Sequence, residues 1–290
     1  MTNSNQTIVV IGATGNVGAP VVAALIEKGI APRVVVRQQK PHPAWDAAGV
    51  TQIVADSNDV NSLAKAFEGA SHVFSVLPLV ENIVEMGEKT VTAAQKAGVQ
   101  HLVRSSAQGA DVSAPIALGR WHGEIDQKVE SSGLDFTLLQ PASFFQNYLG
   151  YADTIKTQNA FYAPMGDGKV SLIDTRDIAA VAVAALTQSG HAGKKYALTG
   201  GESLSNSEIA AIFSEVLGRE ISYVDVPEAK ARQQMLDLGM PAWLVDAVME
   251  LNAIGKAGYL AQVSPSVEQI TQRPPLTFRQ FAEQNQAAFK

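Results

Sequence analysis

Three glycines, Gly12, Gly15 and Gly18, are the first residues of this chain whose spacing implies chemistry. They follow the apolar run Thr7–Ile11 and precede Ala19–Lys28, which has helical character. A strand, a glycine turn and a helix in that order hold a dinucleotide pyrophosphate. The glycines permit a tight turn and close backbone approach, and the helix start offers unpaired N–H groups at the positive end of its dipole. A lone glycine pattern is weak evidence, but this one has the required context on both sides. Gly12, Thr14, Gly15, Asn16, Val17 and Gly18 are therefore expected to contact the cofactor. The spacing is Gly-x-x-Gly-x-x-Gly rather than the commoner Gly-x-Gly-x-x-Gly.

The end of the second strand selects the nucleotide. An acid there would bind the ribose 2′-hydroxyl of NAD and repel a 2′-phosphate. Here the strand ends Val36-Arg37-Gln38-Gln39-Lys40, and no acid occurs between Glu27 and Asp46. Arg37 can pair with a 2′-phosphate and stack on adenine, which favours NADP(H). Asp56 and Ser57 close the third strand. They are placed either to touch the adenine edge or to form the turn that opens a helix near Asp59. Leu77 and Pro78 follow the fourth strand and are expected to form an apolar ledge near the ribose and nicotinamide.

These positions share one geometry, because each follows a strand in an alternation of strands and helices. Strands are expected at 7–11, 31–37, 52–55, 72–76, 100–104 and 135–140, with helices between them, including one from Ile116 to Ser132 that stops before Gly133. Apolar strands bracketed by helices predict an α/β, doubly wound parallel sheet of the Rossmann type, whose ligands sit outside the carboxyl ends of the strands. The second half has more aromatics and loops, with capping boxes at Ser205–Glu208 and Thr277–Gln280. It reads as a smaller substrate lobe. The expected division is 1–149 for the dinucleotide-binding domain and 150–290 for the lobe, with 174–200 returning to the first.

Composition sets the outer bounds. The 290-residue chain is 46% hydrophobic and 17% charged, as an ordinary globular protein is, and carries a net charge of −6 without basic runs. That argues against nucleic acid as a partner. The absence of cysteine removes disulfides, thiolate metal sites and cysteine nucleophiles, and fits a reducing compartment. The five histidines (42, 72, 101, 122 and 191) are scattered without metal-ligand spacing, so no metal is expected. The N-terminus is polar and lacks a signal-peptide pattern, and no apolar run has the length of a membrane span. The cytoplasm is the expected compartment.

The glycine spacing, the arginine closing the second strand and the stretch Ser132-Gly-Leu-Asp-Phe-Thr-Leu-Leu-Gln-Pro141…Phe144-Phe145-Gln146-Asn147 resemble the NmrA-like family. This branch of the atypical short-chain dehydrogenases includes quinone-reductase-like, dye-reductase-like and redox-sensor proteins. Arg273–Phe278 and Phe281 resemble its C-terminal signature, so the likeness spans nearly the whole chain. Short-chain dehydrogenases acting on alcohols use Tyr-x-x-x-Lys, in which the lysine lowers the pKa of the tyrosine. None of the six tyrosines here has lysine four positions on, and the corresponding helix reads Arg120-Trp-His-Gly-Glu-Ile-Asp-Gln-Lys128. His122 has two readings: a group that touches the nicotinamide ribose or donates a proton, or a core residue on the stripe of Leu118, Ile125 and Val129. Ser105 and Ser106 stand where the dehydrogenases carry a catalytic serine, and either hydrogen-bond the substrate or nicotinamide ring or form a strand-end turn. The resemblance places Ser143 to Asn147, including Phe144, beside the nicotinamide. Trp121, Phe145, Asn147 and Tyr148 either wall a flat substrate pocket or belong to a core.

Two functions follow. In the first, NADPH reduces a flat conjugated acceptor, such as a quinone or dye, that stabilises added charge by delocalisation and has little need of a tuned acid. In the second, the fold senses NADP(H) without turnover and signals through a protein partner.

Overall fold

The computed structural model describes residues 6–290. The segment 1–5, part of the polar N-terminus read above, lies outside the described residues. The chain forms two compact units. The first comprises residues up to Pro115, Gly119–Pro141 and Thr175–Ala197, and the second Ile116–Leu118, Ala142–Asp174 and Leu198–Lys290.

The first unit alternates strand and helix: β1 (Ile8–Ile11), α1 (Gly18–Glu27), β2 (Arg33–Val36), α2 (Pro43–Ala47), β3 (Thr51–Val54), α3 (Val60–Ala66), β4 (His72–Ser75), α4 (Ile83–Lys96), β5 (His101–Ser105), α5 (Ala117–Glu130) and β6 (Asp135–Pro141). The chain then crosses into the second unit. It passes through a 3₁₀ turn (Phe145–Tyr151), α6 (Ala152–Gln158), β7 (Ala160–Ala163) and β8 (Lys169–Val170), and returns for α7 (Thr175–Thr187) and β9 (Lys194–Leu198). The remainder is β10 (Leu204–Ser205), α8 (Asn206–Leu217), β11 (Ser222–Asp225), α9 (Glu228–Asp237), α10 (Ala242–Lys256), α11 (Ser266–Thr271), α12 (Phe278–Gln284) and α13 (Gln286–Phe289).

The main sheet has the order β3-β2-β1-β4-β5-β6-β9, and the pairs from β3 through β6 are parallel. This is the Rossmann arrangement, with the order reversing between β1 and β4. The β-branched run Ile8-Val-Val-Ile11 is buried throughout, as the central strand of a sheet covered on both faces must be. Val9, Leu63, Phe67, Val73, Leu102 and Leu138 lie in the core that fixes the sheet against its helices. Gly29 and Gly98, with φ of +74° and +69°, end the turns after α1 and α4 in a conformation that glycine adopts without cost.

The second unit is held by aromatic rings. Phe145, Tyr148, Phe161, Phe213, Phe278 and Phe281 are all buried there. Several pairs meet edge to face, such as Phe145–Phe278 at 5.2 Å and Phe213–Phe278 at 5.3 Å between centroids. Both capping boxes read from the sequence form, at Ser205/Glu208 and Thr277/Gln280. In the half read above as richer in loops, the stretch from Ala152 to Val170 carries α6 and two strands. β7 pairs with β11 in parallel, from Ala160↔Ser222 to Ala163↔Asp225. Four residues without a local partner give no periodic signal, and a distant strand supplies the pairing. The chain leaves the first unit after Pro141 and returns to it from Thr175 to Ala197. Ala142 N–H donates to Leu198 O and Phe145 N–H to Ile173 O, which ties this stretch into the second unit.

Candidate cofactor and reduction site

Parallel strands bring every loop that follows a strand to the same edge, so the carboxyl edge of the sheet gathers Gly12–Val17, Arg37, Asp56, Ser57, Leu77, Pro78 and Ser105. The glycine turn is closed by Gly15 N–H donating to Gly12 O at 3.0 Å. Gly12 has φ of +75°, and a Cβ there would strike the Val76 carbonyl, while a Cβ on Gly18 would strike the Gly12 carbonyl. Those two glycines are demanded by the fold itself. Gly15 differs: the nearest atom to a Cβ there is Gly12 O at 3.4 Å, an ordinary contact. Thr14, Gly15 and Asn16 are exposed. At the start of α1, Val17 supplies no side-chain cap. An open glycine rim beside an uncapped helix start fits a pyrophosphate, whose oxygens accept from those N–H groups.

Arg37 follows β2 directly, is exposed, and forms no ion pair with the described residues. Asp56 shows the turn reading: its Oδ1 accepts from Asn58 N–H at 2.8 Å, and its own N–H donates to Ser62 Oγ at 3.1 Å. Asp59 caps α3. Ser57 is half-buried in that turn. Leu77 packs against the first unit's core, whereas Pro78 and Leu79 are exposed.

The centre of this edge holds a polar cluster that the sequence did not single out. Arg104, the penultimate residue of β5, is buried and forms an ion pair with Asp126 of α5. Asp126 also accepts from Ser106 Oγ at 2.6 Å. Burial raises the Asp126 carboxyl above its ordinary value, while Arg104 first, then Ser106 and Gln140, pull it back. Arg104 Nη2 donates to His122 Nδ1 at 3.1 Å. A guanidinium only donates, so Nδ1 is the bare nitrogen and the ring proton sits on Nε2. Burial and the adjacent guanidinium lower the His122 pKa to about 3. His122 is thus a neutral imidazole at physiological pH. In that state the ring offers a hydrogen bond from Nε2, which has no partner among the described residues.

Ser105 ends β5 and is buried beside this cluster in sequence. The Ser106 hydroxyl donates to Asp126. Arg104 was legible in retrospect. A buried cation in a doubly covered strand needs a buried partner, and Asp126 lies one helical turn beyond His122. Trp121, also on α5, is half-buried.

The remaining candidates belong to the second unit. Ser143 O accepts from Ile173 N–H at 3.0 Å, and Phe144 bridges to Ile173, so this stretch is pinned by its backbone. Asn147 is exposed. Phe145, 1% exposed, and Tyr148, 8% exposed, take the core reading of the two given above. The Tyr148 hydroxyl donates to Asn206 Oδ1 at 2.6 Å, and burial raises its pKa beyond any catalytic range. Aromatic stacking with Phe161, Phe213 and Phe278 is the physical reason.

Comparison with known proteins agrees with this architecture. The chain is 43% identical, over 97% of its length and 99% of the relative's, to the NAD(P)H azoreductase of Xenophilus azovorans. The NADPH complex of the quinone oxidoreductase QOR2 of Escherichia coli superposes with a TM-score of 0.87 at 26% identity, covering 96% of this chain and 99% of that one. The triphenylmethane reductase of a Citrobacter species, solved with NADP(H), shares the fold with a TM-score of 0.86 at 22% identity, over 96% of this chain and 99% of the other. The profile of the NmrA-like family matches residues 4–282, and the chain belongs to the NmrA-like family.

Proposed function

We infer that this protein is an NADP(H)-dependent oxidoreductase that reduces a flat, conjugated acceptor of the quinone or dye class. The observation that carries the reading is whole-length similarity to an azoreductase, combined with the open glycine rim and uncapped helix start of α1. When bound, NADPH supplies the hydride. The chain's own residues orient the cofactor and the acceptor. Gly15 leaves room for the pyrophosphate, α1 presents its N–H groups, and Arg37 is free to meet the 2′-phosphate. No Tyr-x-x-x-Lys pair is present, and the His122 imidazole on α5 is neutral. Such a site suits an acceptor that delocalises its added charge and takes its proton from water, so positioning supplies most of the rate.

Among the described residues no helix is long and apolar enough to cross a membrane. The cysteine-free composition supports the cytoplasm as compartment. The test is NADPH absorbance at 340 nm with a panel of quinones and azo or triarylmethane dyes. Protein-dependent, steady oxidation is expected. Tight NADPH binding with no oxidation of any acceptor overturns the enzyme reading.

A further inference from the structure

Beyond the cofactor cradle, the most constrained chemistry in the first unit is the Arg104–Asp126 pair and what it does to His122. We propose that Arg104, clamped by Asp126, is a positioning residue that fixes His122 as its Nε2–H tautomer, so that the imidazole serves as a neutral hydrogen-bond donor to an oxygen or nitrogen of the bound ligand. The inference rests on the reading of this edge as the reduction site.

Arg104 is buried in β5, where a lone cation would be strongly unfavourable. Asp126 on α5 neutralises it, and Ser106 Oγ fills a second acceptor position of that carboxylate at 2.6 Å. Gly123, between His122 and Asp126, lets α5 approach the loop carrying Asp111 and Val112, because a Cβ there would collide with the backbone of Asp111. The guanidinium therefore has little freedom, and its Nη2 reaches His122 Nδ1 at 3.1 Å. A free imidazole exchanges between tautomers, whereas a donor-only partner at Nδ1 leaves one. The Nε2–H that results has no partner among the described residues and is not buried. Arg104 Nε, by contrast, is buried and unpartnered, which shows that the guanidinium is oriented for Asp126 and His122 at the expense of its third donor. Ser105 neighbours the cluster in β5, and Arg104 is the charged group that acts on His122, with Asp126 bound to its other side.

The experiment is two-bond ¹H–¹⁵N correlation spectroscopy on protein labelled at histidine nitrogen, with the His122 signal identified from a His122→Gln variant. In the unmodified protein, His122 is expected to show a protonated Nε2 and a bare Nδ1, with no titration between pH 8 and 5. A protonated Nδ1, or titration near pH 6.5, overturns the proposal. The double variant Arg104→Met/Asp126→Leu removes both charges without leaving one unmatched. It is expected to give mixed tautomers and a His122 titration displaced upward, while circular dichroism checks that it folds. Unmixed Nε2–H in the folded double variant also overturns the proposal. Adding NADP⁺ with a non-reducible hydroxybenzoquinone analogue is expected to shift the Nε2–H proton downfield. These readouts need no turnover, so absence of activity would count against the reductase reading and not against the tautomer lock.

Discussion

The two edges of the first unit's sheet each keep a histidine neutral, by opposite means. At the carboxyl edge His122 is held by a charge: Arg104 donates to Nδ1, and the ring pKa is lowered to about 3 by burial and by that guanidinium. At the amino edge His101, the first residue of β5, is held by neutral partners. Its Nε2 lies 2.9 Å from Thr137 Oγ1, whose own proton goes to His191 O at 2.8 Å, so the hydroxyl must accept from His101. Burial, with the nearby His72 second, lowers His101 to about 4. The His101 network closes on protein groups, whereas the His122 network stops at an unpartnered donor. A structural site satisfies its polar groups internally, and a site built for a ligand leaves one for it.

The largest expected effect is loss of stability in acid, to which both edges contribute, since His122 is lowered to about 3 and His101 to about 4. An unfolded histidine takes its proton near pH 6.5 and folded His101 only near 4. Its neutral state therefore contributes full stability above pH 6.5, and that contribution is lost as pH falls toward 4. The loss is about 3 kcal/mol from His101, and His72 and His191, also lowered by burial, shift the same way. Urea unfolding at pH 7.5, 6 and 5 should show stability falling with pH, and His101→Gln should flatten the curve. A curve of unchanged slope in that variant breaks the contrast, because the amino edge would then carry no linked proton.

Next come the cofactor residues. Gly15→Ala has room in the fold, so its melting temperature should hold while NADPH binding weakens at least tenfold, about 1.4 kcal/mol. Equal losses in stability and binding would place Gly15 with Gly12 and Gly18 as a purely structural glycine. Arg37→Glu should weaken NADPH by about tenfold or more and NADH far less. Fluorescence titration with each nucleotide distinguishes them, and equal weakening would remove Arg37 from phosphate recognition.

Smaller effects sharpen the comparison. His122→Gln retains an N–H donor and should lower kcat by roughly tenfold, with a pH–rate profile lacking any limb near 6.5. A limb at that pH in the unmodified protein would mean His122 titrates and is not held neutral. Tyr148→Phe leaves Asn206 without its partner and should cost about 1 kcal/mol in unfolding free energy with turnover unchanged. Loss of turnover at unchanged stability would return Tyr148 from the aromatic core to the site.

Local patterns carried the sheet and the cradle. Contiguous β-branched runs, glycine turns and Ser-x-x-Glu or Thr-x-x-Gln boxes act over a few residues, so β1 to β6, the loop from Gly12 to Gly18 and the caps of α8 and α12 are legible in the chain. Because parallel strands send all their following loops to one edge, the positions of Arg37, Asp56, Leu77 and Ser105 were legible too. Distance in sequence hid the rest. β7 exists through pairing with β11, and Phe145 and Tyr148 are core residues because Phe213 and Phe278 pack on them. The state of His122 could not be read from its own helix, since it depends on a guanidinium from β5 and the carboxylate that holds it. Residue types and short spacings dictate which backbone forms and what chemistry is available. Tertiary packing dictates burial and charge proximity, and with them which nitrogen of that imidazole holds the proton.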